Sequence, residues 1–381
     1  MNRTIFLIGL PALFLSTVSS AQNSVTLYGK IDEGFNFTSN GGGNRGYQMI
    51  SGDVAGGRWG LVGNEDLGND LSAVFKLENG FNLNRGSLGQ GGLEFGRQAY
   101  VGLSSKQYGT FTMGRQYDPT IDMWSGFTGA GGAIGDLAAH PSDNDNSDYD
   151  YRIQNSVKYV SPTISGFSGE AMYAFSNAAG AFATNRMYSA AGSYTLGGLS
   201  AAVAYMKQTG GGANTTGAVS SATQVFSGSS QQNIDAGISY TFANKALLAF
   251  AYSHTDVYNP TSNAYFSTQP AVGSQKSWKF DNFDINGQWF FKADLWLAAD
   301  YTYTLEHIAT VEGRSVPKFQ QVALMLNYDL SKRTAVYVQG AYQHVDGHSG
   351  TEFDNANIVG SSALSSTGNQ MVYRVALLHQ F

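Results

Sequence analysis

Arg58, Lys76, Glu78, Arg152 and Lys158 are charged residues set inside segments that otherwise alternate apolar and polar side chains. In 58–62, Trp59 and Leu61 share one parity and Arg58 takes the other. In 71–78, Leu71, Ala73, Phe75 and Leu77 leave Lys76 and Glu78 opposite, and in 151–159, Tyr151, Ile153, Val157 and Tyr159 leave Arg152 and Lys158 opposite. Successive side chains of a strand point to opposite faces, so these charges gather on the face away from the apolar one. Asp118, Asp122 and Asp136 fall in a long polar stretch between two such segments. Basic groups facing carboxylates across a gap make no covalent bond. They make a field, which sorts hydrated ions by charge.

Chemistry of other kinds finds little support. His140, His254, His307, His344, His348 and His379 are scattered, and no GxSxG or HExxH pattern joins them to a nucleophile or a metal. There is no Cys, which excludes disulfides, thiolate zinc sites and Cys nucleophiles. Asp143, Asp145, Asp148 and Asp150 offer oxygen ligands, but they lack EF-hand spacing and its turn glycine, and a solvated acidic stretch is expected there. No catalytic residue, metal or cofactor is expected. The formal charge of −6 argues against a nucleic-acid partner.

The elements that must position these charges are strands. Ile234, Ala236, Ile238, Tyr240 and Phe242 alternate with Asp235, Gly237, Ser239 and Thr241; Phe283, Ile285, Gly287 and Trp289 alternate with Asn282, Asp284, Asn286 and Gln288. About sixteen such segments run from Val25 to Phe381. The final one, MVYRVALLHQF, places Met371, Tyr373, Val375, Leu377, His379 and Phe381 on one face. Connections alternate strictly in length. Short ones (64–70, 104–109, 162–166, 196–198, 243–245, 291–294, 330–333) take turns with long polar ones near 39–47, 84–93, 117–149, 178–186, 210–231, 258–276, 308–316 and 346–368. All short turns then lie at one end and all long loops at the other, as in an outer-membrane barrel. Closure also satisfies every backbone group without water. Tyr28, Trp59, Tyr159, Tyr240, Tyr252, Trp289, Tyr301 and Tyr328 are expected in the interfacial aromatic girdles.

At the other end, Arg3, the apolar stretch Ile5 to Val18 and Ser19-Ser20-Ala21 follow the pattern of a secretory signal peptide. Cleavage after Ala21 leaves 381 − 21 = 360 residues (22–381) as one barrel domain, with net charge −6 − 1 = −7 once Arg3 is removed. The fold expected is all-β, a sixteen-stranded antiparallel transmembrane β-barrel with short periplasmic turns and long external loops.

LYGKIDEGF (27–35), RWGLVGNEDLGNDLSAVFKLENGF (58–81), FGRQAYVGL (95–103), GTFTMGRQYDP (109–119) and NSVKYVSP (155–162) resemble the general porins of β-proteobacterial outer membranes, and the similarity runs through the expected mature chain. The resemblance implies a homotrimer of water-filled barrels that pass small ions and hydrophilic solutes. It implies an inward fold of the third loop, 117–149, with Asp118, Asp122 and Asp136 facing the lumen. Carried residue by residue, it places a basic wall cluster on Arg58, Arg97 and Arg152 and an acidic partner on Glu78. Alternation agrees for three of these four. Arg97 shares parity with Ala99, Val101 and Leu103, and Arg115 with Phe111 and Met113, so either a bulge turns them inward or they sit near a strand end or subunit contact.

Outer-membrane lipid, lipopolysaccharide and the assembly machinery are the further partners of such a barrel, the last reading the terminal strand at Tyr373, Val375, Leu377 and Phe381. Lys30, Asp32, Asp235, Asp284 and Asp300 share the polar face, and the choice between a solvated wall group and one that acts on passage stays open. A channel specific for one class of nutrient or anion would share the barrel. The inward sets, mostly Gly, Ser, Thr, Asn and Asp, favour a general pore. Ion preference is pulled both ways, by net charge toward cations and by the basic eyelet toward anions, and the local field governs.

Overall fold

The computed structural model describes residues 24–381. The expected leader, 1–21, and its cleavage point lie outside them. Among the described residues, sixteen antiparallel barrel strands follow one another around a closed ring. They are β1 (Ser24–Gly41), β2 in two halves (Asn44–Ser51 and Arg58–Gly68), β3 (Leu71–Asn82), β4 (Gln98–Ser105), β5 (Gly109–Gln116), β6 (Ile153–Val160), β7 (Phe167–Ala174) and β8 (Arg186–Leu196). The ring continues through β9 (Leu199–Thr209), β10 (Ser230–Thr241), β11 (Leu247–Tyr258), β12 (Gln275–Lys292), β13 (Leu295–Thr310), β14 (Lys318–Ser331), β15 (Thr334–Asp346) and β16 (Asn369–Gln380). β16 closes on β1 in a register running from Lys30 opposite Gln380 to Thr38 opposite Val372. Gly29 and Phe381 exchange two further backbone hydrogen bonds, of 3.0 and 3.1 Å, at the seam.

Strand alternation decides what faces where. In β14, Phe319, Gln321, Ala323, Met325 and Asn327 are buried, whereas Val322, Leu324, Leu326 and Tyr328 are exposed. In β16, Val372, Arg374 and Ala376 turn in and Tyr373, Val375 and Leu377 turn out. An apolar face left exposed around a whole closed barrel belongs against hydrocarbon, since a soluble protein would bury it.

Two expectations about the wall change. Tyr28 does not join the outer girdle: Val25, Leu27 and Phe35 take the outward parity of β1, and Tyr28 donates a 2.6 Å hydrogen bond to Glu78 inside. The first long loop, expected at 39–47, is a two-residue turn at Gly42-Gly43, where φ of +59° and +91° suits the tight hairpin. The irregularity of this strand falls instead at 52–57, between the halves of β2.

The inward sets are also less polar than expected. Met172, Met187, Met206, Val257, Trp278, Phe280, Ile308 and Phe319 form a buried apolar cluster with Val219, Phe226 and Phe353. The last three belong to loops at the external end, which fold back into the barrel and need an apolar surface to pack on. The lumen is thereby filled on one side.

Candidate functional site

The third loop, 117–152, lies inside the barrel. It leaves β5 through Tyr117 and enters a single helical turn, α1 (Pro119–Met123), whose N-cap is Asp118. The Asp118 carboxylate accepts from the Thr120 N–H at 2.9 Å, and Pro119 fits the first turn because its missing N–H has no partner there anyway. Beyond α1 the loop is a series of short helical turns (125–127, 130–134, 136–138 and 141–143) that pair only part of its backbone, so the remaining groups need other partners. Wall side chains supply most of them, and the loop's own Trp124 reaches a wall carbonyl in return. Trp124 donates to Ala236 O at 3.0 Å, Asn286 to Phe127 O at 2.8 Å, and Gln321 to Leu137 O and Ala139 O at 3.0 and 3.1 Å. Asn233 and Gln231 donate to Asp145 O and Asn144 O. An amide ladder on β10, β12 and β14 pins the loop against that half of the wall.

The opposite half carries the basic groups that face the loop. Arg97 donates through Nε to Glu78 Oε1 at 2.9 Å and through Nη2 to the Tyr117 hydroxyl at 2.7 Å. Arg152 donates to the same hydroxyl at 2.9 Å and to Asp150 O at 3.1 Å. Arg58 is held by Gly56 O at 2.9 Å. These three guanidinium groups, with Lys30, border a cavity of about 530 Å³ whose far side is the loop, including Asp136, Asp148 and Asp150.

Not every expected residue reaches that cavity. Glu78 is buried behind Arg97, with Lys76 Nζ 3.4 Å from its Oε2. Asp118 is consumed by its cap. Asp122 pairs with Lys158, which also lies 3.9 Å from Glu170, so this basic group is neutralised within the wall. Arg97 faces inward although alternation points it out, because it precedes β4 on a bend where strand parity does not apply. Arg115 sits at a register shift between Gly114 and Gln116 and donates to Gly96 O at 2.7 Å, away from the cavity lining. Tyr151 and Ile153 were expected outside and are buried inside. Asn155, at φ +52°, lies within the same irregularity, which resets the face between Ile153 and Ser156.

The acidic stretch 143–150 is not solvated. Asp143, Asp145 and Asn146 are buried, and Asp145 accepts from Ser253 and sits 2.6 Å from His140 Nδ1. Among the described residues no cluster has the arrangement of a metal site. Burial drives the Asp136 carboxyl up to about 7, and pushes Asp148 and Asp143 well above the ordinary carboxylate range.

Tyr117 is a site residue that neither charge nor parity marks in the sequence. Its position, directly before the quoted aspartate in GRQYDP, was on view, but nothing marked its hydroxyl as the shared acceptor of two arginines. Tyr117→Phe is expected to loosen both guanidinium groups, each losing a charge-assisted bond worth about 1.5–3 kcal/mol. Single-channel recordings would show this as added open-state noise with the barrel intact; unchanged noise would remove the tyrosine from the site.

Known proteins resemble this chain in sequence and in fold. The model of the Gram-negative porin family matches residues 9–348. An outer membrane porin protein of Bordetella pertussis is 31% identical over 90% of this chain and 94% of its own. Outer membrane porin protein 32 of Delftia acidovorans is 33% identical over 44% of this chain and 49% of its own. Among solved structures, an anion-selective porin from Comamonas acidovorans superposes with a TM-score of 0.71 at 23% identity, covering 94% of this chain and all of that one. OmpF of Salmonella typhi gives 0.62 at 18% identity, over 94% and 98%. The chain belongs to the Gram-negative porin family. It is an outer-membrane β-barrel porin.

Proposed function

We propose that this porin is a general diffusion channel with a preference for anions, that the basic wall of Arg58, Arg97, Arg152 and Lys30 forms its constriction with the third loop, and that it carries out no catalysis. One observation carries the reading. By formal count the eyelet is balanced, four cations against Asp53, Asp136, Asp148 and Asp150. Burial raises Asp53, Asp136, Asp148 and Asp150, so they carry less charge than the count. Arginine stays protonated throughout. The local field is therefore positive, against a formal chain charge of −6.

A homotrimer is supported by the trimeric OmpT of Vibrio cholerae, whose fold this chain shares. The exposed terminal residues Tyr373, Val375, Leu377 and Phe381 suit recognition by the assembly machinery, and the outer face suits lipid and lipopolysaccharide. The leader 1–21 is removed on export.

The test is the zero-current potential of purified protein in planar bilayers under a KCl gradient. A chloride-selective sign is expected, with ohmic steps arriving in threes. Selectivity should shrink at high salt, where the Debye length falls from ~10 Å at 0.1 M to ~3 Å at 1 M. A potassium-selective sign would sink the anion reading. Minute currents blocked by one particular solute would replace the general pore with a specific one.

A further inference from the structure

The constriction of such a channel is read as a loop against a wall. Here a third element enters. Between the halves of β2, residues 52–57 leave the sheet and turn into the lumen. Gly52, at φ +86°, starts the excursion, and a Cβ there would stand 2.8 Å from the Gly56 Cα, so the segment closes tightly on itself.

Its position is held from below. Asp32, fully buried on β1, accepts the N–H groups of Asp53 and Ala55 through Oδ2, at 3.2 and 3.1 Å. The other oxygen of Asp32 accepts from Arg374 Nη2 at 3.0 Å and from the Tyr337 hydroxyl at 2.6 Å. Arg374 also donates to Ile50 O at 3.2 Å, just before the excursion. At its tip the segment meets the third loop backbone to backbone. The Asp136 N–H donates to Asp53 O at 3.3 Å, and a Cβ on Gly135 would fall 2.4 Å from that oxygen and 2.7 Å from the Val54 Cα.

Two cavities inside the barrel share part of their lining. The 530 Å³ cavity borders the basic wall; a second, of about 280 Å³, opens among Trp296, Asn327, Lys332 and Gln380 toward the short-turn end. Val54 and Gly132 line both, one from the excursion and one from the third loop. These two residues therefore stand where one cavity borders the other.

We propose that residues 52–57 are a second constriction element, clasped to the third loop and anchored by Asp32 and Arg374, and that Val54 sets the width of the passage. Charge is selected at the arginines and size is selected one step further in, at Val54 opposite Gly132. The proposal rests on the lumen being the conducting path.

The native chain has no Cys, so Val54→Cys gives a single thiol. Whole trimers of this variant in a planar bilayer are treated with a neutral, bulky methanethiosulfonate, then with reductant; Val272→Cys, at an exposed loop tip, serves as control. Modification at 54 is expected to cut single-channel conductance by at least ~2-fold, because a narrow point dominates resistance, and reductant should restore it. Modification at 272 should do nothing. Complete labelling at 54, verified by mass, with conductance unchanged overturns the proposal, as does a thiol at 54 that never labels. Silence of the unmodified wild type would instead overturn the conducting-path reading itself.

Discussion

Replacing Arg374 by leucine is expected to destabilise the barrel by about 3–5 kcal/mol, the usual cost of stripping one partner from a buried ion pair. Arg374 and Asp32 have no solvent-exposed side-chain surface. The guanidinium spends its donors on Asp32, on Tyr337 Oη at 3.0 Å, on Asn36 Oδ1 at 2.8 Å and on Ile50 O. Asp32 would lose one of its four hydrogen-bond donors, the one that carries the countercharge. The pair also stitches the seam, since Asp32 is on the first strand and Arg374 on the last. The temperature at which the folded barrel converts to unfolded mobility on a gel should therefore drop sharply. The double variant Asp32→Leu with Arg374→Leu should recover part of the loss, because no unpaired charge remains. If the single and double variants both convert at the wild-type temperature, the pair contributes nothing and the seam is held by its backbone ladder alone.

How much of this was legible in the sequence divides along physical lines. Alternation has a period of two wherever the ladder is regular, so Arg58, Lys76, Glu78 and Lys158 could be turned inward from parity alone, and the outward faces of β14 and β16 likewise. Parity fails where the ladder fails. Arg97 lies on a bend before its strand, Tyr151 and Ile153 lie beside the irregularity at Asn155, and in both places one residue of slip reverses the face. The excursion at 52–57 sits in a glycine-containing stretch, SGDVAGGRWG, that reads equally well as a loop, and nothing local says that it turns inward. Its anchor is Asp32 with Arg374, residues 342 positions apart that only barrel closure brings together. The acidic run 143–150 misled for a related reason. Charge density reads as solvation unless something known to be buried requires a polar partner, and here that something is the irregular backbone of a loop packed inside a barrel.

Lowering the pH from about 8 to about 6 is expected to strengthen the preference for anions, with the change centred near the titration of Asp136 at about 7. Burial is the main cause of that high value; the charges of Asp150 and Asp32 add to it, while a hydrogen bond with Asp148 and the charge of Arg374 oppose it. As Asp136 takes up its proton the loop side of the eyelet loses negative charge, and the arginines opposite keep theirs. The same shift has a consequence for the loop itself. A carboxyl whose pKa is raised by folding binds more protons folded than unfolded between about 4 and the raised value, so stability falls as pH climbs through that window. His140 acts with the same sign: burial alone would lower it, but Asp145 and Asp284 on either side hold it well above the ordinary range. Its contribution is complete below about 6.5 and is lost as pH rises through the raised value. The Asp136 contribution is therefore lost between about 4 and about 7, and that of His140 above about 6.5. The measurement is the zero-current potential at fixed KCl gradient from pH 5.5 to 8.5, for wild type and for Asp136→Asn. The wild-type curve should bend near pH 7 and the variant should lie on its acid plateau throughout. A wild-type curve that stays flat while conductance is normal would show that Asp136 does not titrate where solutes can sense it, and the charge assignment of the eyelet would then rest on the arginines alone.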